Sequence, residues 1–129
     1  MIAGIGVDIV EIGRVAAIIN RQPGFVARIL SVTEQASLPQ ADERRVAEYV
    51  AGRFAAKEAA AKALGTGIGK SISFHDIEVF HEASGKPTIR LSAEATARIF
   101  PDQTGLRYHL SISHSREFAV AQVVIETAI

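Results

Sequence analysis

The sequence contains no cysteine among its 129 residues. This absence excludes disulfide bonds, catalysis by a thiolate and metal sites built on cysteine. A chain without disulfides suits a reducing compartment, and we therefore expect a cytoplasmic protein.

The sequence also lacks an excess of either charge and any long apolar run. Lysine and arginine number 14, aspartate and glutamate also number 14, and the net charge is zero. Bulk electrostatics therefore do not favour nucleic acid as a partner. No apolar run approaches the roughly 18 residues of a transmembrane helix, so we expect no membrane association. The N-terminal stretch contains Asp8 and lacks a basic region before an apolar run, so we expect no signal peptide.

Length and hydrophobic patterning predict a single α+β domain over residues 1–129. Strand patterns occur at 2–10, 71–82, 87–91, around 108–113 and at 118–126. Helical patterns occur at 11–22, 25–30, in a short piece after Ser31, from Ala41 or Asp42 to Leu64, and at 92–100. We expect a largely antiparallel sheet packed with one long helix and several short ones.

The first predicted strand carries an acid in an apolar setting. We interpret residues 2–10 as a buried strand with two different faces. One face carries Ile5, Val7 and Ile9, and the other carries Gly4, Gly6, Asp8 and Val10. An ionised carboxylate in such a strand is costly unless something compensates it. Asp8 therefore either caps the segment that follows, or faces space that the glycines clear for a cation or a phosphate.

The long helix and the glycine turn after it form a second distinctive stretch, GRFAAKEAAAKALGTGIG at 52–69. Alanine is the best helix former, and the glycines at 65, 67 and 69 end the helix. Glu58 and Lys62 are four residues apart and share a face. They form either a surface ion pair or part of a functional site.

Asp8 and Glu58 are the two acids in apolar or alanine-rich surroundings. Brought together, they would repel each other unless a cation lay between them. Two carboxylates completed by water and phosphate oxygens describe a Mg²⁺ site. Lys62 and the backbone N–H groups of the turn at 65–67 would add positive charge nearby. That combination suits a diphosphate, whose charge needs neutralising as a P–O bond breaks.

The histidines give a weaker signal. We interpret His75 and His81 as surface or packing residues. The strand face formed by His109, Ser111 and Ser113 is either a phosphate- or nucleotide-binding surface or an ordinary polar face of the sheet.

Taken in order, these segments resemble the motifs of the small bacterial 4'-phosphopantetheinyl transferases, the holo-acyl-carrier-protein synthases. The first motif is GVDI at 6–9 with Glu11 and Arg14. The second is FAAKEA at 54–59 with Lys62 and the turn at 65–67. The segments GKP at 85–87 and HLSISH at 109–114 match later parts of the family. The resemblance runs essentially from end to end and implies the fold of that family.

The resemblance implies a Mg²⁺-dependent reaction in fatty acid biosynthesis. The phosphopantetheine arm of coenzyme A moves to a serine of apo acyl carrier protein, and adenosine 3',5'-bisphosphate is released. Asp8 and Glu58 would bind Mg²⁺, and Lys62 would contact the diphosphate and steady the leaving nucleotide. The base that takes the serine proton stays open among Glu58, Asp8 and a metal-bound water.

The resemblance also assigns residues that bind coenzyme A. These are Lys62, Gly65, Thr66, Gly67, Gly85, Lys86, Pro87 and His109. His109 would come from a neighbouring subunit, because the family is typically a homotrimer with active sites between subunits.

The carrier protein of this family is acidic, and the resemblance implies a basic docking surface for it. The residues that would form this surface are Arg14, Arg21, Phe25, Arg28 and Phe54. Arginines aimed at acidic side chains mainly supply encounter rate and register. The alternative is that the three arginines form a merely solvated face. Pro23-Gly24 is expected to break the helix between them.

Two other functions are consistent with some of the same residues. A non-catalytic module that binds coenzyme A or carrier proteins would use the same pocket. A metal-dependent phosphodiesterase would need only the two carboxylates.

Overall fold

A 22-residue helix, Glu43–Leu64, is the element against which the rest of the chain packs. Asp42 caps its N-terminus, since the Asp42 carboxylate accepts a hydrogen bond of 2.9 Å from the Arg45 N–H. Gly65 ends the helix in a left-handed conformation with φ of 79°. A side chain would strain this conformation, so the glycine is the reason that the helix stops here.

The computed structural model describes residues 1–128 and confirms the α+β class. The elements in chain order are β1 (Ile2–Glu11), α1 (Ile12–Arg21), α2 (Phe25–Ile29), α3 (Val32–Ala36), α4 (Glu43–Leu64), a 3₁₀ turn (Phe74–Asp76), β2 (Ile77–His81), β3 (Pro87–Leu91), α5 (Ala93–Ile99), β4 (Arg107–His114) and β5 (Phe118–Glu126). No helix in this described part of the chain is long and apolar enough to cross a membrane.

The strands form two antiparallel sheets. The larger sheet has the order β1-β5-β4, and the smaller one pairs β2 with β3. In the larger sheet Asp8 lies opposite Ala121, and Ala121 lies opposite Ile112. Since directly paired residues point to the same side, these three residues share the face that packs against α4. We call this the inner face.

Glycines bring β1 unusually close to α4. A Cβ built on Gly6 would lie 2.0 Å from the Ala59 carbonyl oxygen, and one on Gly4 would lie 1.9 Å from that of Ala63. Any side chain at either position would therefore force the strand away from the helix. The alanines of α4 that face the sheet are buried for the same reason, because small side chains permit close packing.

The prediction of a buried strand at 2–10 is wrong for one of its two faces. Ile5, Val7 and Ile9 are 62%, 55% and 62% exposed. The cause is the alternation of the strand, which turns the glycines and Asp8 toward α4 and the large apolar residues away from it. Within one chain no element covers this outer face in the described residues. The apolar composition of β1 therefore predicts burial correctly for the inner face and wrongly for the outer face.

The strand predicted over 71–82 begins later, at Ile77. The Asp76 carboxylate accepts hydrogen bonds from both the N–H and the hydroxyl of Ser73, at 3.0 and 3.2 Å. These bonds curl the backbone into the 3₁₀ turn, because local polar side chains compete with strand pairing. Ile72 is buried although it lies outside the strand, so its place in the apolar pattern was misleading.

The other predicted elements are present, with ends within one or two residues of the predicted ones. The chain leaves helical geometry at Gln22, directly before Pro23-Gly24, and this break separates α1 from α2. Ser31 forms a capping box with Glu34 at the start of α3, and Ser92 caps α5.

Candidate active site

Asp8 is presented to α4 from the inner face of β1, two residues after Gly6. Its side chain is only 17% exposed. The Lys62 ammonium lies 3.0 Å from the Asp8 carboxylate and 3.0 Å from the Val7 carbonyl oxygen. Asp8 continues the strand toward α1 and does not cap that helix, since the N-cap position belongs to Glu11.

Glu58 lies one helical turn before Lys62, beside the same carboxylate. Burial raises the pKa of Glu58, the negative charge of Asp8 raises it further, and the positive charge of Lys62 opposes both effects. The bond from Lys62 to Asp8 and the spacing of four residues between Glu58 and Lys62 place the three charged groups on one side of α4, at its junction with β1. The structure thus brings together the acids from the opening strand and the long helix, as the sequence predicts.

Lys62 does not form the surface ion pair with Glu58 that helical spacing alone allowed. In the described residues its ammonium pairs with Asp8, across the junction of helix and strand. Two acids and one cation at this junction leave a net negative charge. The site is therefore suited to bind a further cation.

Two carboxylates are the ligands that this chain itself offers to a metal. Among residues 1–128 no cluster of three or more acidic, histidine or cysteine side chains could hold a metal ion. An ion bound at Asp8 and Glu58 would take its remaining ligands from substrate or water. Oxygen donors of this kind are typical of Mg²⁺.

The glycine turn after α4 does not offer the backbone donors that we expected. The N–H of Gly65 donates to Lys62 O at 3.0 Å, and those of Thr66 and Gly67 donate to Ala61 O at 3.2 Å. These bonds satisfy the last carbonyls of the helix, as is common where a helix ends on a left-handed glycine. The expectation of free N–H groups at 65–67 is therefore wrong, although the turn still follows Lys62 directly.

The turn at 85–87 lies in the hairpin between β2 and β3, on the smaller sheet. Gly85 has φ of 90°, and Glu82 and Lys86 close the turn through a backbone hydrogen bond of 2.9 Å. Gly85 and Lys86 are exposed, and Pro87 begins β3. The role of this turn in binding coenzyme A stays a prediction.

His109 lies on the outer face of the larger sheet. It pairs with Val124 of β5, whose neighbour in β1 is Ile5. Its Nε2 atom lies 3.0 Å from a Glu126 carboxylate oxygen. Within one chain His109 and Asp8 thus point to opposite sides of the sheet.

Three of the five residues predicted to dock a partner line one groove. Arg14, Phe25 and Phe54 face a groove of about 430 Å³ that also includes Ile18 and Phe118. We call it the docking groove. It is bounded by the end of β1, by α1 and by the first residue of α2, so it lies on the α1 side of α4.

The two other predicted docking residues lie outside this groove. Arg28 borders a second hollow, together with Phe74 and His75, and Arg21 is exposed at the end of α1. In the described part of the chain, none of Arg14, Arg21 and Arg28 forms an ion pair with an acid of its own. All three cations are therefore free to meet an acidic partner.

Sequence reasoning missed a buried ion pair between Lys57 and Glu34. Both side chains are almost completely buried, and the Lys57 ammonium lies 2.6 Å from a Glu34 carboxylate oxygen. Glu34 is also the third helical residue of the capping box at the start of α3, and that local pattern gives no sign of a lysine partner. The signal available was Lys57 itself, a lysine within the alanine-rich stretch 55–61 of α4.

Comparison with known proteins places this geometry in a family. The model of the 4'-phosphopantetheinyl transferase superfamily matches residues 4–123. A holo-[acyl-carrier-protein] synthase of Anoxybacillus flavithermus is 53% identical over 126 residues, which cover 98% of this chain and 97% of that protein.

Solved structures agree with the sequence comparison. A holo-(acyl-carrier-protein) synthase of Bacillus anthracis, in complex with CoA (3',5'-ADP), is 48% identical with a TM-score of 0.83, over 99% of each chain. A holo-[acyl-carrier-protein] synthase of Helicobacter pylori, in complex with coenzyme A, is 36% identical with a TM-score of 0.79, over 95% of this chain and 99% of that one. The resemblance seen in the sequence is confirmed, and with it the expectation of a transferase: the chain belongs to the 4'-phosphopantetheinyl transferase superfamily.

Proposed function

We propose that this chain transfers the 4'-phosphopantetheine group of coenzyme A to a serine of apo acyl carrier protein. The products are holo acyl carrier protein and adenosine 3',5'-bisphosphate. The observation that carries the proposal is the junction of β1 and α4, where Asp8, Glu58 and Lys62 meet. Membership of the superfamily and the complexes of similar proteins with coenzyme A support it.

We propose Mg²⁺ as the cofactor, held by Asp8 and Glu58. The fit rests on the donor set, because two hard carboxylates repel each other and a divalent ion between them removes that repulsion. When bound, the ion would neutralise charge on the diphosphate and position it for attack. The presence of only two protein ligands leaves coordination positions for the substrate.

Lys62 is suited to contact the diphosphate. Its side chain is 52% exposed, so its ammonium can exchange the Asp8 carboxylate for a phosphate oxygen without leaving a buried group unpaired. A lysine ammonium near the bridging oxygen would stabilise the charge that builds up on the departing nucleotide.

The proton of the attacking serine would go to Glu58, to Asp8 or to a metal-bound water. In the metal-free chain burial, and then the charge of Asp8, raise the pKa of Glu58, and a bound cation would oppose both effects. The two predicted glycine turns, at 65–67 and 85–87, and His109 keep their proposed role in binding the nucleotide end of coenzyme A.

We also propose that the active unit is a homotrimer. The exposed side of β1, with Ile5, Val7 and Ile9, is an apolar surface of a kind that proteins rarely leave in water. His109 shares this outer face, whereas Asp8 lies on the inner face. Assembly through the outer face would cover the apolar residues and would allow His109 of one chain to serve the site of another. A role in fatty acid biosynthesis stays a prediction from the resemblance, and a cytoplasmic location stays a prediction from the absence of cysteine.

The test is the mass of the acceptor. Apo acyl carrier protein mixed with coenzyme A and this chain should gain one phosphopantetheine group when Mg²⁺ is present and none when a chelator removes it. No gain with several bacterial carrier proteins would contradict the transferase. Coenzyme A binding in the wild type and in Glu58→Ala, with no product from the wild type under any metal, would indicate a binding module. Cleavage of coenzyme A without an acceptor would indicate a phosphodiesterase.

The docking groove predicts a partner-specific effect of Arg14→Ala. The side chain of Arg14 is exposed beside an apolar groove and has no acidic partner in residues 1–128. We expect the variant to raise KM for the carrier protein several-fold, with little change in KM for coenzyme A, and the effect should grow at low salt because screening weakens. Steady-state kinetics with each substrate varied at two salt concentrations give the answer. An equal rise in both KM values would contradict a docking role.

A further inference from the structure

Lys57 places a charged group at the centre of four segments of the chain. Its ammonium donates hydrogen bonds to Glu34 Oε1 at 2.6 Å, to Ile29 O at 2.7 Å and to Phe74 O at 3.1 Å. These acceptors belong to α3, to the end of α2 and to the 3₁₀ turn. All three donor positions of the ammonium are thus used, and the side chain has no exposure to solvent.

Glu34 is satisfied just as completely on its own side. Its Oε1 atom accepts from the Ser31 N–H, and its Oε2 atom accepts from the Val79 N–H of β2, each at 2.8 Å. The Tyr49 hydroxyl donates to the Glu34 carbonyl oxygen at 2.8 Å and ties α3 back to α4. The pair therefore joins α2, α3, α4, the 3₁₀ turn and β2.

Lys57 donates hydrogen bonds to a carbonyl of α2 and to one of the 3₁₀ turn, and these two segments lie on either side of the Phe54 ring. The Phe54 ring lies 6.2 Å from that of Phe25, the first residue of α2, and 5.6 Å from that of Phe74 in the 3₁₀ turn. Lys57 lies three residues after Phe54, so both point to the same side of α4. A further hydrogen bond of 2.8 Å, from His75 to the Ala27 carbonyl oxygen, links the 3₁₀ turn to α2 directly.

Stability alone does not account for a buried ion pair at this place. Desolvation of two charges is expensive, and well-packed apolar residues of similar volume often give equal or greater stability. Burial lowers the pKa of Lys57, and the contacts with Glu34 oppose this effect. A lysine forms directional hydrogen bonds, which an apolar side chain cannot form. The three hydrogen bonds of Lys57 fix the positions of the backbone at Ile29 and at Phe74.

We propose that the Lys57–Glu34 pair positions the docking groove for the carrier protein. By holding Ile29 O and Phe74 O, it fixes α2 and the 3₁₀ turn, and these carry the rings that flank Phe54. Both residues are positioning residues, since neither faces the junction of Asp8, Glu58 and Lys62. This inference rests on the proposed function and adds the region that prepares the surface for the protein substrate.

The test compares Lys57→Met with the double variant Lys57→Met/Glu34→Gln. The single variant leaves Glu34 buried without its cation and risks failing to fold, whereas the double variant removes both charges. In the folded variant we expect KM for the carrier protein to rise about tenfold, with kcat and KM for coenzyme A within about twofold of the wild type. Amide hydrogen exchange should accelerate at 25–30 and 74–79, and stay unchanged in β1 and β5.

Arg90→Gln is the matched control. Arg90 donates to the Glu78 carboxylate at 2.7 Å, in an ion pair of the smaller sheet that involves neither α2 nor the 3₁₀ turn. This variant should leave both KM values unchanged.

Several results would overturn the inference. These are an unchanged carrier KM in the folded variant, an equal rise in both KM values, unchanged exchange at 25–30 and 74–79, or loss of the whole fold in both variants. If the wild type is active and the variants give any of these results, only the positioning role is overturned. A wild type that makes no holo carrier protein overturns the proposed function and the docking role together.

Discussion

Burial and the neighbouring charge of Asp8 change the pKa of Glu58 in the same direction. Both raise its pKa, and only Lys62 opposes them. The Lys62 ammonium bonds to Asp8, so it neutralises the pair incompletely. A carboxylate in this position favours whatever brings positive charge to it, a proton or a divalent ion.

Replacement of the Glu58 carboxylate by an amide should lower the catalytic rate without unfolding the protein. Glu58→Gln keeps the shape of the side chain but removes a metal ligand and a proton acceptor. We therefore expect kcat to fall about 10²-fold or more, with the fold retained. The measurement is holo carrier formation beside a circular dichroism spectrum. Glu43→Gln, on the exposed first turn of the same helix, is the control and should be fully active. Wild-type turnover in Glu58→Gln would remove Glu58 from the mechanism.

The raised pKa of Glu58 also predicts how stability depends on pH in the metal-free protein. The ordinary value is 4.5, and the folded state binds this proton more tightly than the unfolded state does. The stabilisation is therefore complete below 4.5 and is lost as the pH rises through the raised pKa. Glu58→Gln does not titrate, so its free energy of unfolding should increase relative to that of the wild type over this range. Urea unfolding at a series of pH values, with chelator present, gives the difference. A difference that is constant with pH would contradict the shift.

At the scale of elements, the site depends on how closely β1 approaches α4. The glycines of the inner face let the backbone of the strand meet that of the helix. Asp8 follows these glycines on the same face, so its carboxylate reaches the Glu58 and Lys62 side chains. The close contact is thus part of the construction of the site as well as of the core.

Gly6→Ala should damage both stability and activity. The added Cβ would lie 2.0 Å from Ala59 O and would push the strand and the helix apart. We expect a loss of about 1–3 kcal/mol in the free energy of unfolding, and a larger loss of activity than the unfolded fraction explains. Gly13→Ala is the matched control, because a Cβ there has nothing within 4 Å and a helical alanine should stabilise by about 0.5–1 kcal/mol. Urea unfolding and turnover are measured on both. Full activity in Gly6→Ala would show that the close approach is not needed.

The sequence predicted most elements because their signals are local. Asp42, Ser92 and Gly65 act on the backbone within a few residues, and so the helices that they cap begin and end where expected. The pairing of Asp8 with α4 was also predictable, since a buried acid requires a cation. The Lys57–Glu34 pair was not, because the two residues lie 23 positions apart and nothing in either segment indicates the other.

At the scale of the whole molecule, the larger sheet has one covered face and one bare face. The alternation of β1 identifies the two residue sets, but the sequence does not say that a single chain covers only one of them. Ile5, Val7 and Ile9 are exposed in the single chain and share the bare face with His109. This exposure is the reason that we propose assembly with further copies of the chain.

Val7→Lys tests assembly through the bare face. A charge at the centre of an apolar interface should prevent it. We expect the variant to change from trimer to monomer in light scattering and to lose at least about tenfold in activity, because His109 of a neighbour is then absent. Val32→Lys is the control, since Val32 is 84% exposed on α3, away from the sheet, and should leave both unchanged. A wild-type chain that is monomeric and active would contradict the proposed assembly.

The register of β1 has a consequence for insertions and deletions. Side chains of a strand alternate between its two faces. The loss of the residue between Gly6 and Asp8 would therefore move all side chains on one side of the deletion to the opposite face of the sheet. If the pairing before the deletion is kept, the aspartate turns outward and Ile9 takes its place on the inner face. If the pairing after the deletion is kept, Ile5 takes the place of Gly6 and meets the Ala59 carbonyl oxygen, where only a hydrogen atom fits. The pairing with β5 shifts between Ile2 and Gly4, so an irregularity at the start of the strand is already tolerated. An extra residue before Gly4 should therefore be harmless, whereas the same residue four positions later should abolish the site.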